Sequence, residues 1–419
     1  MAVKKIAIAC QGGGTHAAFT WGVLTEILET KKTWDAKPGS GDTIDITAIS
    51  GTSAGALCAL ATWYGLAPNA ADSGCGNVDK AIERLNFLWT TFAATTPIEA
   101  WLNMTMGKLL EMKEKGVPLP TSNPYGVTGE IALTGLSMLG ARPEFISFPA
   151  LLDALCPGFA EVDWSALATA NRRMIAGAIE VFSGNFEIFD SNKTLEEKGL
   201  RPAYARYNQY EMLRWRMRRA LSLEGVAASG TLPELLRAQK IENLVFPTGT
   251  PGQTITRDGY YWDGLYSQNP PVSQFLEACD TDEKPDEIWV VRINPQEIDY
   301  EIRYYSLEDI RDRENDLAGN LSLNQELDHI VLVNELIAKH RDKNPYFADL
   351  KTVEVRTIKM ERETVWSLQR TSKFDRHPDH LERLRTEGQA VARKWLSDWR
   401  AKGKDFQSYP IDAHYPDIG

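Results

Sequence analysis

The sequence is short of the side chains that most metal and redox chemistry needs. Five cysteines in 419 residues (Cys10, Cys58, Cys75, Cys156 and Cys279) are odd in number and scattered. None has metal-ligand or redox spacing, which excludes a disulfide scaffold and a zinc module and reads as reduced thiols of a cytoplasmic protein. No His/Cys/Asp/Glu cluster has metal-ligand spacing either, so neither metal nor cofactor is expected. Positive charge is also scarce: 46 Lys+Arg against 57 Asp+Glu leave a net charge of −11, which speaks against nucleic acid as a partner. The one basic cluster, Arg214, Arg216, Arg218 and Arg219, reads as a solvated helix face. A peripheral membrane contact stays open, but without a polybasic anchor. The apolar run Ile6–Cys10 is shorter than the roughly 7–15 residues of a secretory signal core and reads as a first strand. Ile46 to Ala67 carries no charge and has about the length of a membrane span. Its Ser, Thr and Gly content predicts a buried strand, turn and helix instead.

What is present is ordinary globular material, 43% hydrophobic and 25% charged, which excludes disordered and fibrous classes. The first part alternates strand and helix patterns: Val3–Cys10, Thr15–Glu29, Ile44–Ile49 and Ser53–Tyr64. Such alternation implies a largely parallel sheet covered by helices. Ala81, Ile82, Leu85, Leu88, Trp89 and Phe92 recur with helical period. Trp101 to Met112, rich in Met and Trp, reads either as core or as a lid or acyl-chain wall, and is followed by a Pro/Gly-rich loop, Gly116–Gly129. Arg173–Phe182 and Glu287–Ile293 are expected strands. Beyond Asn294 helical periodicity dominates over Leu307–His340 and Pro378–Trp399, with a strand at Lys351–Lys359. The division is therefore residues 1–298 as a catalytic-type α/β domain and 299–419 as a mainly helical extension packed on it.

Gly51-Thr52-Ser53-Ala54-Gly55 follows an apolar strand and opens an apolar helix, the context of a nucleophile elbow. The turn is sharp, so Gly51 and Gly55 remove side-chain clashes while Ser53 is pushed out at a helix N-terminus that favours negative charge. Gln11-Gly12-Gly13-Gly14-Thr15-His16 also lies between strand and helix, where successive glycine amides can hold an anion or an oxyanion. The same stretch fits a loose dinucleotide fingerprint, or a plain tight turn, but no acidic ribose ligand follows at the right place. A proton acceptor for Ser53 must come from elsewhere. Five of the six histidines (His329, His340, His377, His380 and His414) lie in the extension. Asp263, in Tyr261-Trp262-Asp263-Gly264, ends an aromatic strand before Asn269-Pro270-Pro271, and burial there would raise its pKa. Asp258-Gly259 just upstream has the residue types of a two-residue hairpin turn.

Glycine loop, serine elbow and Asp-Gly, in this chain order, resemble the patatin-like phospholipase family. The likeness extends to Ala228-Ser229-Gly230-Thr231-Leu232-Pro233, to Phe19–Leu24, to Val291–Pro295 and to Ser372-Lys373-Phe374, and so covers nearly the whole chain. It implies a patatin-like three-layer α/β sandwich with a mostly parallel central sheet. It also implies a serine acyl hydrolase with lipid or other acyl esters as substrate, working without metal. By the resemblance Ser53 is the nucleophile, Asp263 the base, and Gly12, Gly13 and Gly14 the oxyanion loop. Two positions depart from the family pattern. His16 and Ala17 stand where Arg or Lys and then Gly are common, so His16 either edges the oxyanion hole or starts the helix. Leu265 stands where a second Gly often follows Asp-Gly. The rival readings are a Ser-Asp-His triad using His329 or His340, and a catalytically idle lipid-binding protein of the same fold.

Overall fold

Strands buried on both faces belong in the middle of a sheet covered by helices, and the first two strands here are buried in that way from Ile6 to Cys10 and from Ile46 to Gly51. In the computed structural model β1 (Lys4–Cys10) passes through a 3-10 turn (Gly14–Ala17) into α1 (Ala18–Asp35), followed by β2 (Ile44–Gly51) and α2 (Ala54–Leu66). The structure describes residues 3–37, 43–72, 74–114, 117, 148–170, 172–192, 217–233, 236–248, 253–276, 282–296, 307–344, 347, 350–368, 370–403 and 406. Helices α3 (Val78–Phe92), α4 (Pro97–Glu114), α5 (Phe148–Leu155) and α6 (Trp164–Ala170) lead to β3 (Arg173–Glu180), β4 (Phe186–Asp190) and β5 (Met217–Ala220). Then come α7 (Leu223–Ser229), β6 (Gln239–Pro247), β7 (Thr254–Asp263) and β8 (Glu287–Arg292). The C-terminal part holds α8 (Leu307–His340), β9 (Glu354–Lys359), α9 (Arg362–Ser367) and α10 (Pro378–Lys402).

The sheet runs β5-β4-β3-β2-β1-β8-β9, with β7 on β3 and β6 on β7. The pairs β1–β2, β1–β8, β2–β3, β4–β5 and β8–β9 are parallel, and β3–β4, β3–β7 and β6–β7 antiparallel. Successive side chains point to opposite faces. Ile6, Ile8 and Cys10 therefore join one core cluster with residues of α1, α2 and α10, while Ala7 and Ala9 join a second with Leu323, Leu327 and Ile330 of α8. Helices lie on both sides of the sheet, which makes three layers. The charge-free segment Ile46 to Ala67 is most of β2, the elbow and α2, buried except at Ser53 and Ala54, and no helix among the described residues is long and apolar enough to cross a membrane.

The C-terminal part contributes to every layer. β9 extends the sheet beside β8 in parallel register, Glu287 opposite Glu354. The buried Glu287 carboxylate accepts from Arg356 Nε at 2.7 Å, Trp289 Nε1 at 2.8 Å and Trp399 Nε1 at 2.9 Å, and pairs with Lys4. Burial opposes its ionisation, but the contacts to Arg356, Lys4 and Trp289 outweigh it and hold its pKa below the ordinary value. Helix α10 crosses α1 at glycines: a Cβ on Gly388 would overlap the Phe19 carbonyl, and one on Gly22 the Arg385 carbonyl.

Two local readings of the sequence change. Asp258-Gly259 is no turn, because β7 runs unbroken from Thr254 to Asp263 against β6. The irregularity lies on β6 between Ile241 and Leu244, where Asn243 takes φ 56° and its amide donates to Asp258 Oδ1 at 3.2 Å. Asn is among the few non-glycine residues that tolerate this conformation. Arg218 and Arg219 belong to β5, not to a helix, and pair with Asp190 at 3.0 Å and Glu187 at 2.8 Å across the neighbouring strand. Cross-strand charge neutralisation, not solvation, explains them. Arg214, Arg216, the loop Gly116–Gly129 apart from Val117, Cys279 and His414 lie outside the described residues.

Adding a β-branched side chain at the α1–α10 crossing should force the helices apart. Gly388→Val is expected to lower unfolding stability by at least roughly 1–3 kcal/mol, read as a reduced urea midpoint with an unchanged slope.

Candidate active site

Parallel register sets Cys10 opposite Gly51 at the ends of β1 and β2. The glycine loop and the serine turn therefore leave the sheet side by side, close enough that backbone meets backbone. A Cβ on Gly51 would overlap the Gly55 carbonyl, one on Gly55 the Cys10 carbonyl, and one on Gly12 would lie 2.9 Å from Ser53 Cβ. Ser53 has φ 55° and ψ −131°, a conformation that costs a non-glycine residue on the order of 1–3 kcal/mol and persists only where neighbours impose it. Its amide donates to the Ser229 carbonyl at 3.0 Å and lies 3.2 Å from Ser229 Oγ. Ser53 itself stays partly exposed, whereas Thr52 and Ser229 are buried.

Asp263 reaches this turn through the sheet. β2 pairs with β3 only as far as Gly51–Ala176. Beyond that point β7 takes over the same edge of β3 in the opposite direction, with Tyr261 opposite Glu180 and Asp263 opposite Ala178. The end of β7 thus arrives two residues beyond the end of β2, where the elbow begins. The Asp263 amide donates to the Thr231 carbonyl at 2.9 Å, so α7 and the residues after it contact nucleophile and carboxylate alike. Asp263 is 1% exposed. Its Oδ1 accepts from the Leu265 amide at 2.8 Å, and Oδ2 has no close donor among the described residues. The Ser53 hydroxyl is nevertheless near enough to favour the ionised form. Burial dominates and pushes the Asp263 pKa up to about 7, with the Leu265 amide and Ser53 pulling the other way.

The glycine loop is clamped by side chains from four segments. Gly12 N–H donates to Asn269 Oδ1 at 2.7 Å, and Asn294 Nδ2 donates to Gly12 O at 3.0 Å. Gln11 Oε1 accepts from the amides of Ile293 and Asn294, both at 2.9 Å, while its Nε2 donates to Asn320 Oδ1 of α8 at 2.9 Å. Thr15 Oγ1 donates to the Ser372 carbonyl at 2.7 Å. Gly14, at φ 59°, packs directly on the Lys373 backbone. His16 is 4% exposed, with Nε2 2.8 Å from Ser372 Oγ. Burial, then Lys373, His380 and Arg383, hold its pKa well below the ordinary value, so it is uncharged near neutral pH.

The structure therefore brings together Ser53, Asp263, Gly12, Gly13, Gly14, Gly51 and Gly55, and sets His16 behind the loop against the C-terminal part. The other histidines lie elsewhere: His329 is exposed on α8, His340 packs near Phe347, His377 caps α10, and His380 sits 6.2 Å from the His16 ring. Among the described residues no group of three or more His, Cys, Asp and Glu could hold a metal ion. Sequence reasoning gave Ser229, Thr231, Asn269 and Asn294 no role, although each lies in a stretch it singled out. Gln11 and Asn320 carried no signal beyond being polar residues that the fold buries.

Two solved structures are similar to the chain. VipD from Legionella pneumophila is 13% identical, with 92% of this chain and 67% of that one covered at a TM-score of 0.32. The type III effector protein ExoU is 14% identical, with 95% and 76% covered at a TM-score of 0.20. No curated protein matches the chain. The family model described as Patatin-like phospholipase matches residues 8–276. That span is well over half of the sequence and includes the glycine loop, the elbow and Asp263, so the chain belongs to the patatin-like phospholipase family.

Proposed function

We propose that the protein is a lipid acyl hydrolase that cleaves carboxylic esters with a Ser53–Asp263 dyad. The observation that carries this reading is a wholly buried carboxylate, with a pKa of about 7, beside a serine held at positive φ on a strand-to-helix turn. A carboxylate of ordinary pKa would be too weak a base near neutrality, and one raised to the working pH is suited to take and return a proton.

Ser53 Oγ attacks the ester carbonyl and its proton passes to Asp263. The carbonyl electron pair moves onto oxygen, where amides of the glycine loop stabilise it. The Gly12 amide is already committed to Asn269, which leaves those of Gly13 and Gly14, at the start of a helical turn where N–H groups have no intrahelical acceptor. Collapse of the adduct expels the alcohol, which takes the proton from Asp263. A water then gives its proton to Asp263 as it attacks the acyl-serine, and the proton returns to Ser53 as the acid departs. His16, buried and neutral, supplies no charge to this sequence and positions the loop through Ser372.

Four outcomes test the reading. Ser53→Ala should abolish ester hydrolysis and fluorophosphonate labelling without loss of structure, and near-wild-type turnover would exclude the serine. Asp263→Asn should lower kcat roughly 10²-fold or more, while Asp258→Asn, on an exposed part of β7, should be nearly silent; equal losses would disprove the assignment. Substitution of His329, His340, His377 or His380 by Gln should leave turnover within a few-fold.

The pH dependence has a worked sign. Asp263 accepts a proton only when ionised, so kcat/KM should rise with pH and level off above about 7. Because its folded pKa lies above the ordinary carboxylate value, the folded state holds this proton more tightly than the unfolded chain does. Stability therefore falls as pH rises from about 4 to beyond 7. Asp263→Asn should remove that part of the fall, seen as a higher melting temperature than wild type at pH 8.

A further inference from the structure

Helix α4 is built inside out. Its polar residues face the protein: Glu99 is 1% exposed and makes a reciprocal cap with Thr96, and Asn103 donates to Asp375 Oδ1 at 2.8 Å and accepts from the Arg376 amide at 2.9 Å. The large apolar residues face outward. Ile98, Trp101, Met104, Met106, Leu109 and Met112 are each 40–54% exposed, and at 3.6 residues per turn they share one broad side of the helix. Among the described side chains of this helix the exposed charges are Lys108 and Glu111, one of each sign. A surface of this size and composition marks a contact with something apolar.

The position of α4 identifies the occupant. Asn103 fastens the helix to the segment Arg370–Phe374 and the residues just after it, and Ser372 and Lys373 of that segment press on Thr15, His16 and Gly14 of the candidate oxyanion loop. Leu317 and Leu321, exposed on α8 on either side of Gly319 and Asn320, add to the apolar border; Gly319 packs on Asn269, and Asn320 holds Gln11. The segment that fastens α4 thus also borders the site. An acyl lipid is reluctant to leave its bilayer, since each methylene adds to the cost, so the rim of a site for such substrates has to meet the lipid surface. The face has no net charge and the protein carries −11, which suits a zwitterionic surface and not an anionic one.

We infer that the outward face of α4, together with Leu317 and Leu321, seats the protein on a zwitterionic lipid surface and presents the site to it. The inference rests on the acyl-hydrolase reading for its substrate, but its test does not depend on catalysis. Full-length protein carrying Ser53→Ala should float with phosphatidylcholine vesicles, with little dependence on salt. Adding Trp101→Glu and Met104→Glu should lower the vesicle-bound fraction roughly tenfold or more. In the Ser53 background the same pair should leave hydrolysis of a short, water-soluble ester unchanged while that of vesicle lipid falls. If the pair disturbs folding, seen by circular dichroism, Leu109→Glu with Met112→Glu takes its place.

Failure of the Ser53→Ala protein to float would overturn the inference. So would flotation unaffected by the substitutions, or a self-association that they abolish in place of vesicle binding. Flotation by a protein that hydrolyses no ester would instead overturn the acyl-hydrolase reading and leave the lipid contact standing.

Discussion

Close approach of backbone to backbone at the ends of β1 and β2 is the constraint on which the site depends. Two parallel strands in register end together, and both of their continuations must turn at the same level of the sheet. Side chains cannot be accommodated there: the Cβ positions of Gly12, Gly51 and Gly55 are filled by neighbouring carbonyls. Glycine at these points lets the loop and the elbow touch, and the touch sets Gly12 against Ser53. The serine pays with positive φ, which is held by the Ser229 carbonyl on one side and the first turn of α2 on the other.

A buried carboxylate is expensive unless it is protonated or well paired. Asp190 and Glu287 avoid the penalty through arginine partners, Arg173 with Arg218 and Arg356 respectively, and their pKa values fall. Asp263 has no such partner among the described residues, where the Leu265 amide and the Ser53 hydroxyl favour its ionised form, and its pKa rises to about 7. The contrast within one sheet separates carboxylates that hold strands together from one whose proton is exchangeable near neutral pH. That difference, more than the presence of an aspartate near a serine, supports the acid–base role proposed for Asp263.

Much of this was legible in the sequence because the governing physics is local. Mainly apolar strands, the glycine pair around Ser53 and the strand ending in Asp263 announce themselves by residue type and spacing. The helix Leu307–His340 is bounded in the structure as its periodicity indicates. What stayed hidden depends on pairing between distant segments. β6 and the first half of β7 form a largely exposed two-stranded ribbon carrying charges, so no apolar alternation marks it, and Asp258-Gly259 imitates a turn when the irregularity is on the partner strand. Arg218 and Arg219 look solvated until β4 brings Asp190 and Glu187 across from them. His16 looks like a rim charge or a helix start from its neighbours in sequence, and its burial comes from residues more than 350 positions away.

Those distant residues change how the C-terminal part is understood. A helical addition could in principle pack on a finished domain and leave its site untouched. Here α8 forms the covering layer on one face of the sheet, β9 continues the sheet, and α10 lies on the helix that follows the glycine loop. Asn320, Ser372 and Lys373 go further, since each contacts a residue of the loop itself. The loop is short and glycine-rich, and glycine gives up more conformational freedom on ordering than any other residue. Its fixed geometry must therefore be imposed from outside, by side-chain amides on Gln11 and Gly12 and by the Ser372–Lys373 backbone on Thr15 and Gly14. The sequence match to the family ends at residue 276, but the structural support of the loop does not. The segment that orders the loop is also the one that fastens α4, so the rigid floor of the site, through Ser372 and Lys373, and its apolar rim, through Asp375 and Arg376, are tied to one short stretch of chain.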